Sequence, residues 1–366
     1  ELARRNEGGQ RDYIDTIVAG FSLFAVFVAC TAALLAPSIL GYLFPAFTGE
    51  HASQLVTVTR ILLLQPILLG LSNILAAITQ SRHRYALYAL SPLLYNIGII
   101  AGVAFLYPVW GIAGLAWGVV IGALFHAGIQ IPAVVSDGFL RRIPRLREPR
   151  ALLHTALVSV PRALALSMGQ LTFLGLTALA GTLVSGSIAV FMFAYNLASV
   201  PLAIIGASYS VAAFPTLAEA LSRGARVQFI EHVATAARYV FFWSIPISAL
   251  ILVLRAYVVR VILGSGAFDW TDTRLTAACF ALFSLALAAQ GLQLLLVRGY
   301  YAAGRTFMPF VISFGTMVAT LGCAIGTLAI LDNAGILHVV SALLRIEDVQ
   351  GARVVALSFS YALASI

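Results

Sequence analysis

Apolar residues run along this chain in long unbroken blocks, and the polar positions between them are short, glycine-marked and rich in arginine. The blocks fall at roughly 13–44, 53–80, 86–107, 111–134, 151–184, 186–221, 227–263, 272–303, 307–331 and 351–366, which predicts about ten helices. A helix needs about 20 consecutive apolar residues to cross a bilayer, whereas the strands of a membrane barrel alternate apolar and polar positions over about ten. The pattern therefore predicts an all-α integral membrane protein. Several blocks exceed one span and are expected to bend at Pro66, Pro161, Pro201 and Pro246, because proline removes a helical hydrogen bond.

Composition agrees: 61% of the 366 residues are hydrophobic and 10% charged, more apolar surface than a soluble core of this size needs. All 22 basic residues are arginine, and their placement orients the chain. Arg4, Arg5, Arg11, Arg82, Arg84, Arg141, Arg142, Arg145, Arg147, Arg150, Arg223, Arg226, Arg298 and Arg305 fall on one side. Arg255, Arg260, Arg274, Arg345 and Arg353 fall on the other. Cationic segments resist translocation, so the richer side is assigned to the cytoplasm. The net charge of +8 is thus a topology signal and not a mark of a nucleic-acid partner.

The arginine-rich stretch ending at Arg150 is read as a basic cytoplasmic linker, 135–150, between an N-terminal lobe, 1–134, and a C-terminal lobe, 151–366; it can also attract anionic headgroups. A shift of 221 residues places Ala46-Phe47 on Ala267-Phe268, Gly70-Leu71 on Gly291-Leu292 and Arg84 on Arg305, as expected of lobes related by a parallel repeat. On this register the first lobe is expected to lack its first two helices, and the chain to end inside its last.

The candidate chemistry is sparse. Cys30, Cys279 and Cys323 lie in separate blocks without metal-ligand spacing. All 14 acidic residues fall in loops or at block ends, which counts against an ion-coupled pump built from them. With no nucleophile–base pair, phosphate-cradling loop or metal cluster, neither an enzyme nor a cofactor is expected. Ser185–Pro215 is long enough to cross a bilayer yet carries Tyr195, Asn196, Ser199 and Pro201 at its middle. It reads either as the wall of a polar cavity or as a kinked packing helix. Gln65, Asn73, Asn96, Gln130, Gln170, Gln290 and Gln293 can bond sugar and peptide groups or serve as glue between helices. His126 reads as a packing histidine. Arg162 and Arg238 can snorkel to the inner surface, and Arg60 can either pair with a phosphate or anchor at the outer interface.

Several strings occur in order across almost the whole chain: Ser81-Arg82-His83-Arg84-Tyr85, Ala89 through Ile97, Gly114 through Val119, Gln130-Ile131-Pro132, Val160-Pro161-Arg162, Ala213 through Leu217, Gly266 through Asp269, and Arg298 through Thr306. Together they resemble the MurJ (MviN) lipid II flippases of the multidrug/oligosaccharidyl-lipid/polysaccharide transporter superfamily. The resemblance implies two pseudo-symmetric helical lobes around a central cavity. Alternating access would move an undecaprenyl-pyrophosphate-linked cell-wall precursor outward across the bacterial inner membrane.

It also implies arginines for the pyrophosphate in the first two helices and in the helix matching 186–221. There the family's Asp-Arg pair is matched by Tyr195-Asn196, and a later acidic position by Ser199. A position some members use near sodium falls on Leu176. The headgroup contacts expected on this register are Asn196, Ser199 and Gln170, with Arg60 as an anion partner. The implied partners are a lipid-linked saccharide, membrane lipids and cell-wall synthesis proteins. Two rivals stand beside this reading: an exporter of another polyprenyl-linked oligosaccharide or drug-like cargo, and a transport-inactive membrane scaffold.

Overall fold

The computed structural model describes residues 7–82, 84–266, 268–305 and 307–366. Arg4, Arg5, His83, Ala267 and Thr306 lie outside the described residues, as does the side chain of Arg162. Eight helices are long and apolar enough to cross a bilayer, or nine if one bent pair is counted as a span, so the chain is a multi-pass membrane protein. Two compact units divide at Val158/Ser159, within a single helix, α8, that runs from Pro149 to Gly181.

In the first unit α1 (Glu7–Leu43) precedes α2 (Gly49–Leu62) and α3 (Leu64–Ser81), which together make one span interrupted at Leu63, just ahead of Pro66. The next span begins with α4 (Tyr85–Ala101), passes through a π-helical turn at Gly102–Leu106 and ends in α5 (Tyr107–Trp110). Gly111, at φ +57°, reverses the chain into α6 (Ile112–Gly128), and α7 (Ile131–Ser136) follows.

Glycines four residues apart share a helix face, and two such faces meet here. A Cβ on Gly98 would lie 2.3 Å from the Cα of Gly122, and one on Gly102 would lie 2.4 Å from the Cα of Gly118. Their bare faces let the α4 and α6 backbones touch. Near the start of α1 and the end of α3, Ile14, Val18, Leu75, Ile78, Val134 and Phe139 form a core, flanked by the ion pairs Arg84–Asp137 at 2.6 Å and Arg147–Asp12 at 2.8 Å.

In the second unit α9 (Ser187–Leu202) and α10 (Ser208–Ser222) form one span, joined by a π-helical turn at Ala203–Ala207. That turn follows Pro201 directly, as expected where a missing backbone donor disturbs the ladder. α11 (Arg226–Leu263) carries Pro246 without interruption, whereas α12 (Trp270–Leu285) and α13 (Leu287–Ala302) bend by 47° with no proline between them. α12 opens with a capping box between Asp269 and Asp272 and is buried along most of its length. Around it Leu176, Phe191, Phe283 and Leu357 complete the core, with α14 (Phe307–Ile330) and α16 (Val355–Ser365) as further walls.

Residues between 331 and 351, read from the sequence as a connection, contain a further helix, α15 (Ala334–Leu344). At 11 residues it is too short to span. Arginines secure its end: Arg255 donates to the Leu344 carbonyl at 2.9 Å, and Arg274 Nε donates to that of Arg345 at 3.1 Å, where the backbone turns left-handed at φ +62°. Arg274 also holds Asp348 through bonds of 2.8 and 2.6 Å, which lower the Asp348 pKa. Arg353 pairs with Asp332, and Arg260 donates to the Phe268 carbonyl at 3.2 Å.

Candidate functional site

Pro201 and the aromatic residues before it shape the middle of the α9 span. The Tyr195 ring lies 4.8 Å from Phe173 of α8, 5.8 Å from Phe283 of α12 and 5.9 Å from Tyr361 of α16, centroid to centroid. Beside this cluster is a cavity of about 30 Å³, lined by Tyr195, Ser199, Pro201, Ser284 and Gln290 among others. It has room for about one water molecule, and its hydroxyl and amide lining suits one.

The predicted contacts divide around this cluster. Ser199 lines the cavity and donates its hydroxyl to the Asn196 carbonyl at 2.7 Å. The Asn196 side chain is exposed, and so is that of Gln170 on α8; neither forms a side-chain hydrogen bond among the described residues. An amide held without a partner in hydrocarbon costs roughly 2–7 kcal/mol, so both side chains call for water or a ligand. Neither α9 nor α10 carries a cationic residue, and Glu219 is their one acid. Leu176, which the resemblance sets at a position expected near sodium, is fully buried in apolar core.

Arg60 belongs to the first unit and has a structural task there. Pro37 lies inside α1 and lacks the N–H that would bond the carbonyl of Ala33, four residues back. Arg60 Nε donates to that carbonyl at 3.0 Å. The side chain is otherwise exposed in the last turn of α2, and its terminal nitrogens make no further bond among the described residues.

Three other amides of the first unit, Gln65, Asn96 and Gln130, are consumed internally. Gln130 is fully buried and its Nε2 donates to Ser72 Oγ at 2.7 Å and to the His126 carbonyl at 3.1 Å. Ser72 Oγ lies 2.6 Å from His126 Nδ1, and Gln65 donates to the Tyr95 hydroxyl at 2.9 Å. Asn96 donates to the Pro92 carbonyl at 3.0 Å. Asn73, Gln290 and Gln293 form no side-chain hydrogen bond among the described residues. Sequence reasoning named these amides without distinguishing spent from unspent ones, and it missed the aromatic partners Phe173, Phe283 and Tyr361, which no spacing rule singles out. Among the described residues no group of three or more His, Cys, Asp or Glu is placed to hold a metal ion.

A family model described as "Lipid II flippase MurJ" matches residues 1–343. A probable lipid II flippase MurJ of Buchnera aphidicola subsp. Acyrthosiphon pisum is 25% identical over 324 residues, covering 86% of this chain and 62% of that protein. The lipid II flippase MurJ of Burkholderia cenocepacia is 25% identical over 291 residues, covering 74% of this chain and 54% of its own length. The chain therefore spans less than two thirds of these curated relatives. Among solved structures, a lipid II flippase MurJ in an inward closed conformation aligns with a TM-score of 0.75 at 20% identity, covering 99% of this chain and 72% of the other. An inward-facing multidrug resistance MATE family transporter of the MOP superfamily aligns at 0.77 and 14%, covering 100% and 81%. At these identities the structural likeness concerns the fold.

Proposed function

Because the chain belongs to the lipid II flippase MurJ family, we propose that it forms the greater part of a flippase moving lipid II from the cytoplasmic to the outer face of the bacterial inner membrane. It does so by alternating access of an N-terminal lobe, 1–134, and a C-terminal lobe, 151–366, joined by the basic cytoplasmic stretch 135–150. No bond of the cargo is broken, and no catalytic residue is assigned. The observation that supports this reading most directly is the pair of exposed, unbonded amides, Gln170 and Asn196, on helices that are otherwise apolar at that depth. Such groups hydrogen-bond sugar and peptide moieties without a desolvated charge. Ser199 and the one-water cavity extend the polar surface, and the free end of Arg60 serves as the anion partner in the first lobe.

The test is outward exposure of lipid II, read by enzymatic cleavage on the periplasmic side of cells depleted of their own flippase and expressing the whole protein that carries this chain. Restored cleavage, lost again in Asn196→Leu, is the expected result. No restoration, with the protein verified in the membrane, overturns the lipid II assignment. A second reading, the export of another polyprenyl-linked oligosaccharide, is favoured by one observation: Tyr195-Asn196 supplies no cation where the family resemblance implies an Asp-Arg pair. Restoration would exclude it.

A further inference from the structure

The arginines of the two membrane faces are used differently in the second unit. On the outer side Arg255, Arg260, Arg274 and Arg353 all bond protein carbonyls or carboxylates. On the cytoplasmic side Arg223 pairs with Glu219 at 2.6 Å, but Arg226 and Arg305 have no side-chain hydrogen-bond or ion-pair partner among the described residues. These two line one cavity of about 900 Å³, walled by α10, α11 and α13. The rest of its lining is mostly apolar, with Phe229, Val233 and Leu296 on the walls and Tyr300 beside them. Its size lies within the range of about 300–1,000 Å³ typical of small-molecule sites.

An apolar trough between spanning helices, with unpaired guanidinium groups at its cytoplasmic end, matches a particular kind of ligand. Its polar end is anionic and accepts several hydrogen bonds, and its body is hydrocarbon. Basic pockets between membrane helices on the cytoplasmic side hold anionic headgroups for these reasons. A soluble phosphate would use the arginines and leave the apolar walls without a partner.

We propose that this cavity binds an anionic glycerophospholipid of the cytoplasmic leaflet, with its phosphate on Arg226 and Arg305 and an acyl chain along Phe229 and Leu296. The site is separate from the headgroup contacts proposed on α8 and α9, so either assignment can fail alone.

The test is native mass spectrometry of the whole protein, stripped of lipid in detergent and titrated with phosphatidylglycerol or phosphatidylcholine of identical chains. Each interfacial arginine contributes about 1 kcal/mol toward an anionic lipid, so phosphatidylglycerol is expected to bind roughly tenfold to thirtyfold more tightly. The double variant Arg226→Gln/Arg305→Gln is expected to bring the two lipids within about twofold of each other, while Arg223→Gln, which removes a paired cation outside the cavity, retains the preference. Leu296→Trp, which fills the trough and keeps both arginines, is expected to weaken phosphatidylglycerol binding, and it decides the matter if the double variant does not fold. Equal binding of the two lipids by the native protein overturns the proposal. So does a preference that survives the double variant, phosphatidylglycerol binding left unweakened by Leu296→Trp, or displacement of phosphatidylglycerol by equimolar glycerol 3-phosphate, which would mark a soluble-phosphate site.

Discussion

Gln130 and Asn196 are both amides on membrane helices, and they meet opposite fates. Gln130 is fully buried, donates to Ser72 and His126 and lies 3.5 Å from the Thr79 hydroxyl, which donates to it. Asn196 is exposed and its side chain bonds nothing among the described residues. Both side chains are amides, so residue type does not explain the difference. The neighbours do: in the first unit Ser72 Oγ of α3 and the His126 carbonyl of α6 lie within hydrogen-bond reach of Gln130. In the second, Asn196 sits at an exposed position of α9 with no side-chain partner among the described residues. A saturated amide acts as glue, and an unsaturated one remains available to cargo.

The sharpest way to break this contrast is to force the first unit apart. A Cβ at Gly122 would lie 2.4 Å from the Tyr95 carbonyl oxygen, and backbone cannot yield as a flexible side chain can. Tyr95 also packs edge-on against His126, with ring centroids 6.4 Å apart, so the damage reaches the polar network one turn away. Gly122→Leu is expected to cost about 3 kcal/mol or more and to abolish the monodisperse folded species on size-exclusion chromatography in detergent. An unchanged elution profile and melting midpoint would show that the glycine contact is not what holds the network shut.

Removing the glue without moving the backbone has a smaller effect. Gln130→Leu removes the amide donor to Ser72 and to the His126 carbonyl, which keep only their bonds to each other, and interhelical hydrogen bonds in membranes average about 0.6 kcal/mol with a maximum near 1.7. A destabilisation of about 1 kcal/mol in an SDS-unfolding titration is the expected result. Arg60→Met is expected to cost about 0.6 kcal/mol, because it strands only the Ala33 carbonyl. If Arg60→Met matched or exceeded Gln130→Leu, an exposed bond would be worth as much as a buried network.

Much of this architecture was legible in the sequence because membrane spans are written in hydropathy alone. The blocks at 13–44, 227–263 and 307–331 need no tertiary information, and Pro201 announces the π-helical turn that follows it. The bend between α12 and α13 and the turn at Gly102–Leu106 have no proline and come from packing, which hydropathy does not encode. α15 is short and begins after Asn333, whose side chain caps its first turn. That cap was a readable signal, but the polar residues around it made the segment resemble a loop. The facing glycines were also present, at 98 and 102 and at 114, 118 and 122, but glycine spacing does not say which helix it will meet. For the candidate site, polarity identified Asn196, Ser199, Gln170 and Arg60, whereas the task of Arg60 on a proline-orphaned carbonyl depended on which helix lay beside it.

The smallest expected change in stability is the one that tests the second half of the contrast. Asn196→Leu removes an amide with no side-chain partner among the described residues, so its melting midpoint and SDS titration should stay within about 0.5 kcal/mol of the native protein. Under the proposed function, periplasmic exposure of lipid II should nevertheless fall, because the hydrogen bonds lost would be those proposed to cargo. The same substitution at Gln130 should reverse the pattern, costing stability first and transport only in proportion to lost folded protein. If Asn196→Leu instead destabilised the fold as much as Gln130→Leu, its amide would have a partner inside the protein. Asn196 would then belong with the glue.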